Sequence, residues 1–261
     1  IGMSQFRELL AGAHSMDQHF ATADFQDNLP VLLGLLAVWN STFLQIHAHT
    51  VLPYDGRLEY LPSYLTQLEM ESNGKSVTHD GTHIDYDTCP ILWGEIGSNA
   101  QHAFYQLLHQ GTQHVSCDFI ACVRHYSDEV QNSSLQHQHE LSLSNCLAQS
   151  RVLAFGNAAV AAVSTTVCTT DKYKHYRGNQ PSTTLLLDEL TPHSLGELIA
   201  LYEHKVYVMA SIWDVNPFDQ WGVEMGKQMA ETVYQAMQQD STAPFDSSTN
   251  QLLAHIKQLF E

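Results

Sequence analysis

Four apolar runs without clean polar alternation constrain the fold of this chain most, because strands covered on both faces of a sheet have this pattern. The runs predict strands at Pro90–Ile96, Val115–Tyr126, Thr183–Leu190 and Val206–Asp214. Helical patterns lie between and before them, at Asn28–Leu44, Gln101–Gln110, Leu141–Phe155 and Ser194–His204. Strands that alternate with helices predict an α/β fold, with a parallel sheet and helices on both of its faces.

Flanking segments complete this outline. Pro30 opens the first predicted helix, as proline often does in the first turn. Ser127–Glu140 is polar and has no period, so we expect a surface excursion there. Pro244–Glu261 predicts a loop followed by a short amphipathic helix. Because ligands of parallel α/β sheets bind at the carboxyl ends of the strands, we expect the functional site at that edge.

The composition excludes several classes of function. The chain has 11 Lys and Arg against 28 Asp and Glu, a net charge of −17, whereas a nucleic-acid partner needs a basic surface. The longest apolar stretch, Val31–Trp39, is too short to span a bilayer, and the first residues lack the regions of a signal peptide. Five cysteines without a CxxC pair predict buried, reduced thiols in a cytoplasmic protein.

The first candidate site residue is Glu71, in the segment Gln67–Lys75. The pattern predicts a helix that ends at Ser72–Gly74, with Gly74 in a left-handed cap. Glu71 then lies in the last turn, where the negative end of the helix dipole makes a charged carboxylate costly and favours a general base. The alternative is a solvated carboxylate at a frayed helix end.

The second candidate is His102, which follows a predicted strand-to-helix turn. Ser98 is the predicted N-cap, with Gln101 as its capping-box partner. His102 would then lie in the first helical turn, where the positive end of the dipole keeps the imidazole neutral and able to exchange a proton. The alternative is a helical histidine that only binds a backbone carbonyl.

The third candidate is Lys227, one of few cations in an acidic chain. Its segment, Ala210–Lys227, begins in the last predicted strand and enters a helix near Gln220. In a closed site this ammonium could donate a proton or hold a ligand oxygen. The alternative is a surface ion pair with Glu224, three residues earlier.

Metal binding is a weaker possibility. His47-Ala48-His49 and His137-Gln138-His139 place histidines two residues apart, but a chain with 16 histidines produces such pairs easily. No group of Cys and His residues has the spacing of a zinc site. We therefore expect neither a metal nor another cofactor.

Several blocks of the chain, taken in order, resemble one enzyme family. They are Met70–Lys75 (MESNGK), Gly94–Gln106 (GEIGSNAQHAFYQ), Gly178–Ser182 (GNQPS), Tyr202–Lys205 (YEHK) and Phe218–Lys227 (FDQWGVEMGK), with Gly12–His14, Met16–Phe20 and Leu52–Asp55 near the start. These blocks are similar to motifs of the C-terminal half of phosphoglucose isomerases. The resemblance covers the chain except Ser127–Glu140 and the segment near Val160–Lys174.

The resemblance implies a fold and a domain organisation. The fold would be a sugar isomerase (SIS-type), flavodoxin-like three-layer sandwich with a C-terminal helical arm. Residues 1–30 would be a helical lead-in from a missing N-terminal half, residues 31–214 the second SIS-type α/β domain, and residues 215–261 a C-terminal helical segment.

The resemblance also implies roles for individual residues. Glu71 would move a proton between C1 and C2 of the sugar through an enediol, as glucose 6-phosphate and fructose 6-phosphate interconvert. His102 would help to open the sugar ring, entering the site from the neighbouring subunit of a homodimer. Lys227 would assist ring opening, and Gln67 and Gln220 would line the substrate pocket.

Parts of the family pattern differ or are missing. Ile96, Ser98, Ala100 and Gln180 replace the family's Pro, Thr, Gly and Arg. The arginine that stabilises the enediolate and the loops that bind the phosphate would belong to the N-terminal half, so we expect this chain alone to be inactive. The alternative function is a sugar-phosphate-binding SIS module without catalysis.

Overall fold

A four-stranded parallel sheet forms the centre of this computed structural model, which describes residues 1–124, 133–161, 172–238 and 245–260. The strands are β1 (Ala48–Pro53), β2 (Ile91–Gly94), β3 (Ser116–Cys122) and β4 (Ser182–Leu187). Their order is β2-β1-β3-β4, and β1 pairs with both β2 and β3. The predicted parallel α/β sheet is confirmed.

Helices cover both faces of the sheet. They are α1 (Gly2–Thr22), α2 (Leu29–Val38), α3 (Leu61–Asn73), α4 (Gly97–Ala103), α5 (Tyr105–Gln110), α6 (Ser133–Phe155), α7 (Ala158–Ala161) and α8 (Pro192–Trp213). Successive residues of β3 alternate between two cores: Phe119 packs with residues of α4, α5 and α6, and Ile120 packs with residues of α2, α3 and α8. The three-layer arrangement is therefore as the sequence predicted.

The predicted strand Val206–Asp214 was wrong, because these residues form the second half of α8. Its buried residues recur at helical spacing: Lys205, Val206, Met209, Ala210 and Trp213. A short apolar run does not distinguish a buried strand from a buried helix, and the preceding helical pattern simply continues through it.

The central strand β1 was missed by the sequence interpretation. Its first residues are Ala48, His49 and Thr50, which do not resemble the apolar beginning of a buried strand. In the structure both polar side chains are buried, and His49 has partners on the neighbouring strand β3. Polar groups that are paired with each other can occupy a core position that their residue type alone would not suggest.

The predicted helix Asn28–Leu44 is confirmed as α2 followed by a π-helical turn, Trp39–Phe43. The side chain of Asn28 accepts a hydrogen bond from the Val31 N–H at 3.3 Å and caps the helix, with Pro30 in its first turn.

Two other predictions need correction, one of a helix and one of a surface excursion. The predicted single helix Gln101–Gln110 is broken at Phe104, whose φ is −142°. Of the predicted surface excursion Ser127–Glu140, residues 133–140 begin α6, and residues 127–132 lie outside the described residues.

Two glycines allow α1 and α8 to cross closely. A Cβ on Gly12 would overlap with the His193 carbonyl, and a Cβ on Gly196 would overlap with the Leu9 carbonyl. Glycine is required where two backbones approach in this way. The first helix of the chain is therefore packed tightly onto α8.

The chain consists of two compact units, Ile1–Pro217 and Phe218–Glu261. The second unit contains α9 (Glu224–Gln238) and α10 (Ser247–Phe260). The helix predicted in the C-terminal tail is confirmed as α10, although Pro244 and Glu261 lie outside the described residues.

The cysteines that the structure describes are free thiols, not joined in disulfides. Cys117, Cys122 and Cys146 are buried and Cys89 is half-buried, whereas Cys168 lies outside the described residues. Among the described helices, none has both the length and the apolar content that crossing a bilayer requires.

Candidate active site

The direction of α3 determines where Glu71 lies. The Thr66 hydroxyl donates to the Leu92 carbonyl of β2 at 3.2 Å, and the Leu92 N–H lies 3.3 Å from the Met70 sulfur. Near the start of the helix, Pro62 packs against Gly94, at the carboxyl end of the same strand. The helix thus runs antiparallel to β2, and its last turn lies at the amino edge of the sheet. Glu71 therefore does not lie at the carboxyl edge, where the functional site was expected.

Glu71 lies in the last turn of α3, as the sequence predicted. Its side chain is half-buried. The Gln67 side-chain amide, one turn earlier, donates to Glu71 Oε2 at 3.0 Å. The Lys75 ammonium donates to the backbone carbonyls of Glu71 and Ser72, at 2.9 and 2.6 Å. A lysine that binds the last carbonyls of a helix satisfies groups that the helix itself leaves unpaired.

The end of the helix differs from the prediction in one respect. Gly74 has φ −73° and ψ 64°, so the predicted left-handed cap was wrong. The Gly74 N–H donates to the Met70 carbonyl at 3.0 Å and closes the last turn without a positive φ. Gln67 and Glu71 share the outer face of α3, and their side chains are already in contact with each other.

His102 lies in the last turn of α4, not in the first turn that was predicted. The helix begins at Gly97 with Ile96 as its N-cap, and the cap makes no side-chain hydrogen bond. Ser98 is thus inside the helix, and the predicted capping box does not form. The Ile96 carbonyl accepts from the Asn99 and Ala100 N–H groups, both at 2.9 Å, so the helix starts before Ser98. The argument from the positive end of the dipole no longer applies.

Gln101, the predicted capping partner, has another function in the fold. Its side-chain amide donates to the Tyr54 hydroxyl, just after β1, at 3.1 Å and to Asn145 Oδ1 of α6 at 3.3 Å. His102 itself is exposed.

Glu71 and His102 lie on opposite faces of the sheet within one chain. The helix α3 packs through Leu61 and Leu65 into one core, and α4 packs through Ala100 into the other. The sheet therefore separates the helix that carries Glu71 from the helix that carries His102.

The second unit carries the remaining two predicted residues. Gln220 is exposed and precedes a single 3-10 turn, Trp221–Val223. Lys227 lies in the first turn of α9, where its ammonium is 3.1 Å from Glu224 Oε1. Both side chains of this pair are well exposed, so the surface ion pair that the spacing suggested is present in the structure.

One buried ion pair was missed by the sequence interpretation. Lys205 Nζ of α8 lies 3.0 Å from Glu69 Oε2 of α3, and each side chain is only 2% exposed. Burial lowers the pKa of Lys205, but the carboxylates of Glu69 and Asp118 act against it, and the net result is a raised pKa. The spacing contained a signal: Glu69 follows Leu65 by four residues, and Lys205 follows Leu201 by four, so both lie on buried helix faces.

A second buried network lies between β1, β3 and α8. The His49 ring bonds to Ser116 Oγ at 2.7 Å and to Asp118 Oδ2 at 3.1 Å, and the Tyr202 hydroxyl donates to the same Asp118 oxygen at 3.0 Å. Burial raises the pKa of Asp118, but His49, Lys205 and Tyr202 outweigh it and lower the pKa to about 2. This carboxylate therefore remains charged inside the protein.

Two cavities lie near these elements. A small one of about 90 Å³ is lined by His49, Asp118 and Lys205, with apolar residues of α2. A larger cleft of about 690 Å³ lies beside α5 and α6 and includes His109 and Gln149 among its lining residues. The larger cleft is on the face of the sheet opposite to Glu71.

The histidine pairs considered for metal binding do not form a cluster. His49 is committed to Ser116 and Asp118, and the His139 ring contacts the Val123 carbonyl at 3.2 Å. Within the described ranges, no group of three or more His, Cys, Asp or Glu residues has the arrangement of a metal site.

Comparisons with known proteins agree over nearly the whole chain. The model of the phosphoglucose isomerase family matches residues 1–253. The chain is 83% identical over 260 residues to a protein of Psychrobacter cryohalolentis named glucose-6-phosphate isomerase, covering 99% of this chain and 47% of that protein. It is 62% identical over 240 residues to glucose-6-phosphate isomerase 2 of Chromohalobacter salexigens, covering 91% of this chain and 42% of that protein.

A solved structure of a glucose-6-phosphate isomerase also matches the chain. The crystal structure of a glucose-6-phosphate isomerase from Chlamydia trachomatis matches with a TM-score of 0.79 and 33% identity, over 98% of this chain and 46% of that chain. The chain thus spans about half the length of the relatives that it matches.

Proposed function

The chain belongs to the phosphoglucose isomerase family, and we propose that it is the C-terminal part of an enzyme that interconverts glucose 6-phosphate and fructose 6-phosphate. The names of the relatives support this reaction, which is a step of glycolysis and gluconeogenesis. Because the chain spans under half of those proteins, the complete activity requires the N-terminal half as a partner.

Glu71 is the proposed base of the reaction. Its carboxylate takes the proton from C2 of the open-chain aldose, which gives an enediolate, and returns that proton to C1. The hydroxyl proton passes from O2 to O1, and the carbonyl thereby passes from C1 to C2. One pivoting carboxylate near both carbons is sufficient for this transfer. The observation that carries the proposal is the placement of Glu71, half-buried, with Gln67 at 3.0 Å and the end of α3 closed by Lys75.

His102 and Lys227 are proposed to assist opening of the sugar ring, and Gln67 and Gln220 to line the substrate pocket. We propose that His102 reaches the site from the second subunit of a homodimer. The opposite positions of α3 and α4 support this arrangement, because the sheet separates Glu71 from His102 within one chain.

The location is proposed to be the cytoplasm. The unbonded thiols of Cys89, Cys117, Cys122 and Cys146 support a reducing compartment. The proposed organisation remains a helical lead-in in residues 1–30, an SIS-type domain in residues 31–214 and a helical segment in residues 215–261.

The decisive experiment is Glu71→Gln in the full-length protein. The amide cannot accept the proton, so kcat should fall by about 10² to 10⁴, while binding of a sugar phosphate, measured by calorimetry, remains. Glu59→Gln is the matched control, because Glu59 is an exposed carboxylate just before the same helix. Turnover that survives in Glu71→Gln would contradict the proposed role of this carboxylate. A wild-type protein that binds sugar phosphate but never turns it over would favour the non-catalytic SIS module.

The isolated chain provides a second test. We expect it to be inactive with fructose 6-phosphate, because the family's enediolate-stabilising arginine and phosphate loops belong to the other half. Measurable turnover by the purified chain would contradict this.

A further inference from the structure

The inner face of α3 makes two polar contacts with α8 inside an apolar interface. Glu69 binds Lys205 at 3.0 Å, and the Asn73 side-chain amide donates to the Val206 carbonyl at 3.1 Å. Glu69 and Asn73 are one helical turn apart, and their partners are successive residues of α8. All the side chains involved are buried.

The same turn of α3 carries Glu71 on its outer face. Residues two apart in a helix point to nearly opposite sides, since each residue turns the chain by about 100°. Glu69 and Asn73 therefore face the core, and Glu71 faces outward beside Gln67. Any slip or rotation of this turn relative to α8 would therefore also displace the Glu71 carboxylate.

Stability alone does not explain a buried ion pair at this place. Well-packed apolar residues of similar volume stabilise a core as well as such a pair, or better. Glu69 Oε1 and Asn73 Oδ1 also have no hydrogen-bond partner within the described residues, which adds to the cost of burying them. A polar contact, however, has a fixed length and direction, whereas apolar side chains allow neighbouring helices to slide.

We propose that Glu69, Asn73 and Lys205 are positioning residues, which fix the rotation and depth of the last turn of α3 and so aim the Glu71 carboxylate at the substrate. This inference rests on the proposed function. A displacement of a catalytic group by about 1 Å can reduce the rate by about 10²-fold. The raised pKa of Lys205 agrees with a permanently charged partner for Glu69.

The test is the double substitution Glu69→Met, Lys205→Met in the full-length protein. It replaces the pair with apolar side chains of similar length, so we expect the protein to fold. We expect kcat with fructose 6-phosphate to fall at least about tenfold while KM stays within about threefold, because the base is misplaced and the rest of the pocket is not. A core that serves stability alone would leave kcat unchanged.

Tyr202→Phe is the control. It removes a buried hydrogen bond from α8 to Asp118 and leaves the side chains of Glu69, Asn73 and Lys205 unchanged, so stability should fall while kcat remains. If the double variant does not fold, Glu69→Gln decides, since it keeps the shape of the side chain and removes its charge. We expect a lower kcat from it as well.

The outcomes separate the two proposals. If wild-type turnover is absent, or Glu71→Gln keeps it, the proposed function fails and the positioning role falls with it. If those two proteins behave as proposed and the folded double variant keeps kcat within about twofold of the wild type, the positioning role alone is wrong.

Discussion

Replacement of Asp118 by asparagine should reveal how much the charged network in the core contributes to folding. The carboxylate is buried, and it accepts hydrogen bonds from the His49 ring and the Tyr202 hydroxyl with Lys205 nearby. Burial raises its pKa, but these partners outweigh burial and lower it from 3.8 to about 2. The difference corresponds to about 2 kcal/mol of stability at neutral pH, as an order of magnitude.

The sign of the pH dependence follows from that lowered pKa. Between pH 2 and about 4 the unfolded chain takes up a proton on Asp118 and the folded chain does not, so acid favours unfolding. The contribution of Asp118 is complete above about pH 5 and is lost as the pH falls through 4 towards 2. Asp118→Asn should therefore be less stable than the wild type by about 2 kcal/mol at pH 7, with a smaller difference at pH 3.

Urea unfolding at both pH values measures this difference, with the fluorescence of the buried Trp213 as a signal. Asp188→Asn is the matched control, because Asp188 is an exposed carboxylate whose only described ion pair is with exposed Arg124. It should change stability little at either pH. Equal losses for Asp118→Asn at pH 7 and pH 3 would refute the reasoning, because they would mean that the charge of Asp118 is not what the network stabilises.

Two substitutions and one labelling experiment test the packing. Gly196→Leu should destabilise the chain by at least about 2 kcal/mol, because its side chain would overlap with the Leu9 carbonyl where α1 crosses α8; a thermal melt unchanged from wild type would contradict the close crossing. Asn28→Ala should cost about 1 to 2 kcal/mol in urea unfolding, since it removes the cap of α2 and a hydrogen bond to the Phe20 carbonyl. Cys146 should react slowly with iodoacetamide at pH 8 in the folded chain, because burial raises the pKa of its thiol to about 12. It should react rapidly in urea. Equal rates in both states would show that the thiol is accessible in the folded chain.

The sequence predicted that helices surround the candidate residues better than it predicted the geometry of those helices. Gly74 correctly indicated where α3 ends, because glycine is one of the poorest helix-forming residues. His102 was assigned to the wrong end of its helix, because Ser98 has the chemistry of a cap but the helix begins earlier, with Ile96 as its N-cap. Local propensity indicated that a helix was present, but not which residue begins it.

Buried polar residues caused the larger errors. His49 and Thr50 disguised the central strand, although the partners of His49 lie almost seventy positions later in the chain. No window of neighbouring residues contains that information. Glu69 and Lys205, in contrast, fall at the fourth position after a buried leucine, so their burial could have been inferred from helical spacing.

The separation of α3 and α4 by the sheet has a consequence for dimers that contain two different inactive variants. If one copy supplies Glu71 and its neighbour supplies His102, two different inactive copies can compensate for each other. Consider a symmetric dimer in which one subunit lacks Glu71 and the other lacks His102. One of its catalytic centres then receives both defects, and the other receives none. Random pairing of equal amounts would then restore about a quarter of the original turnover, because half of the pairs are mixed and each mixed pair has one intact centre.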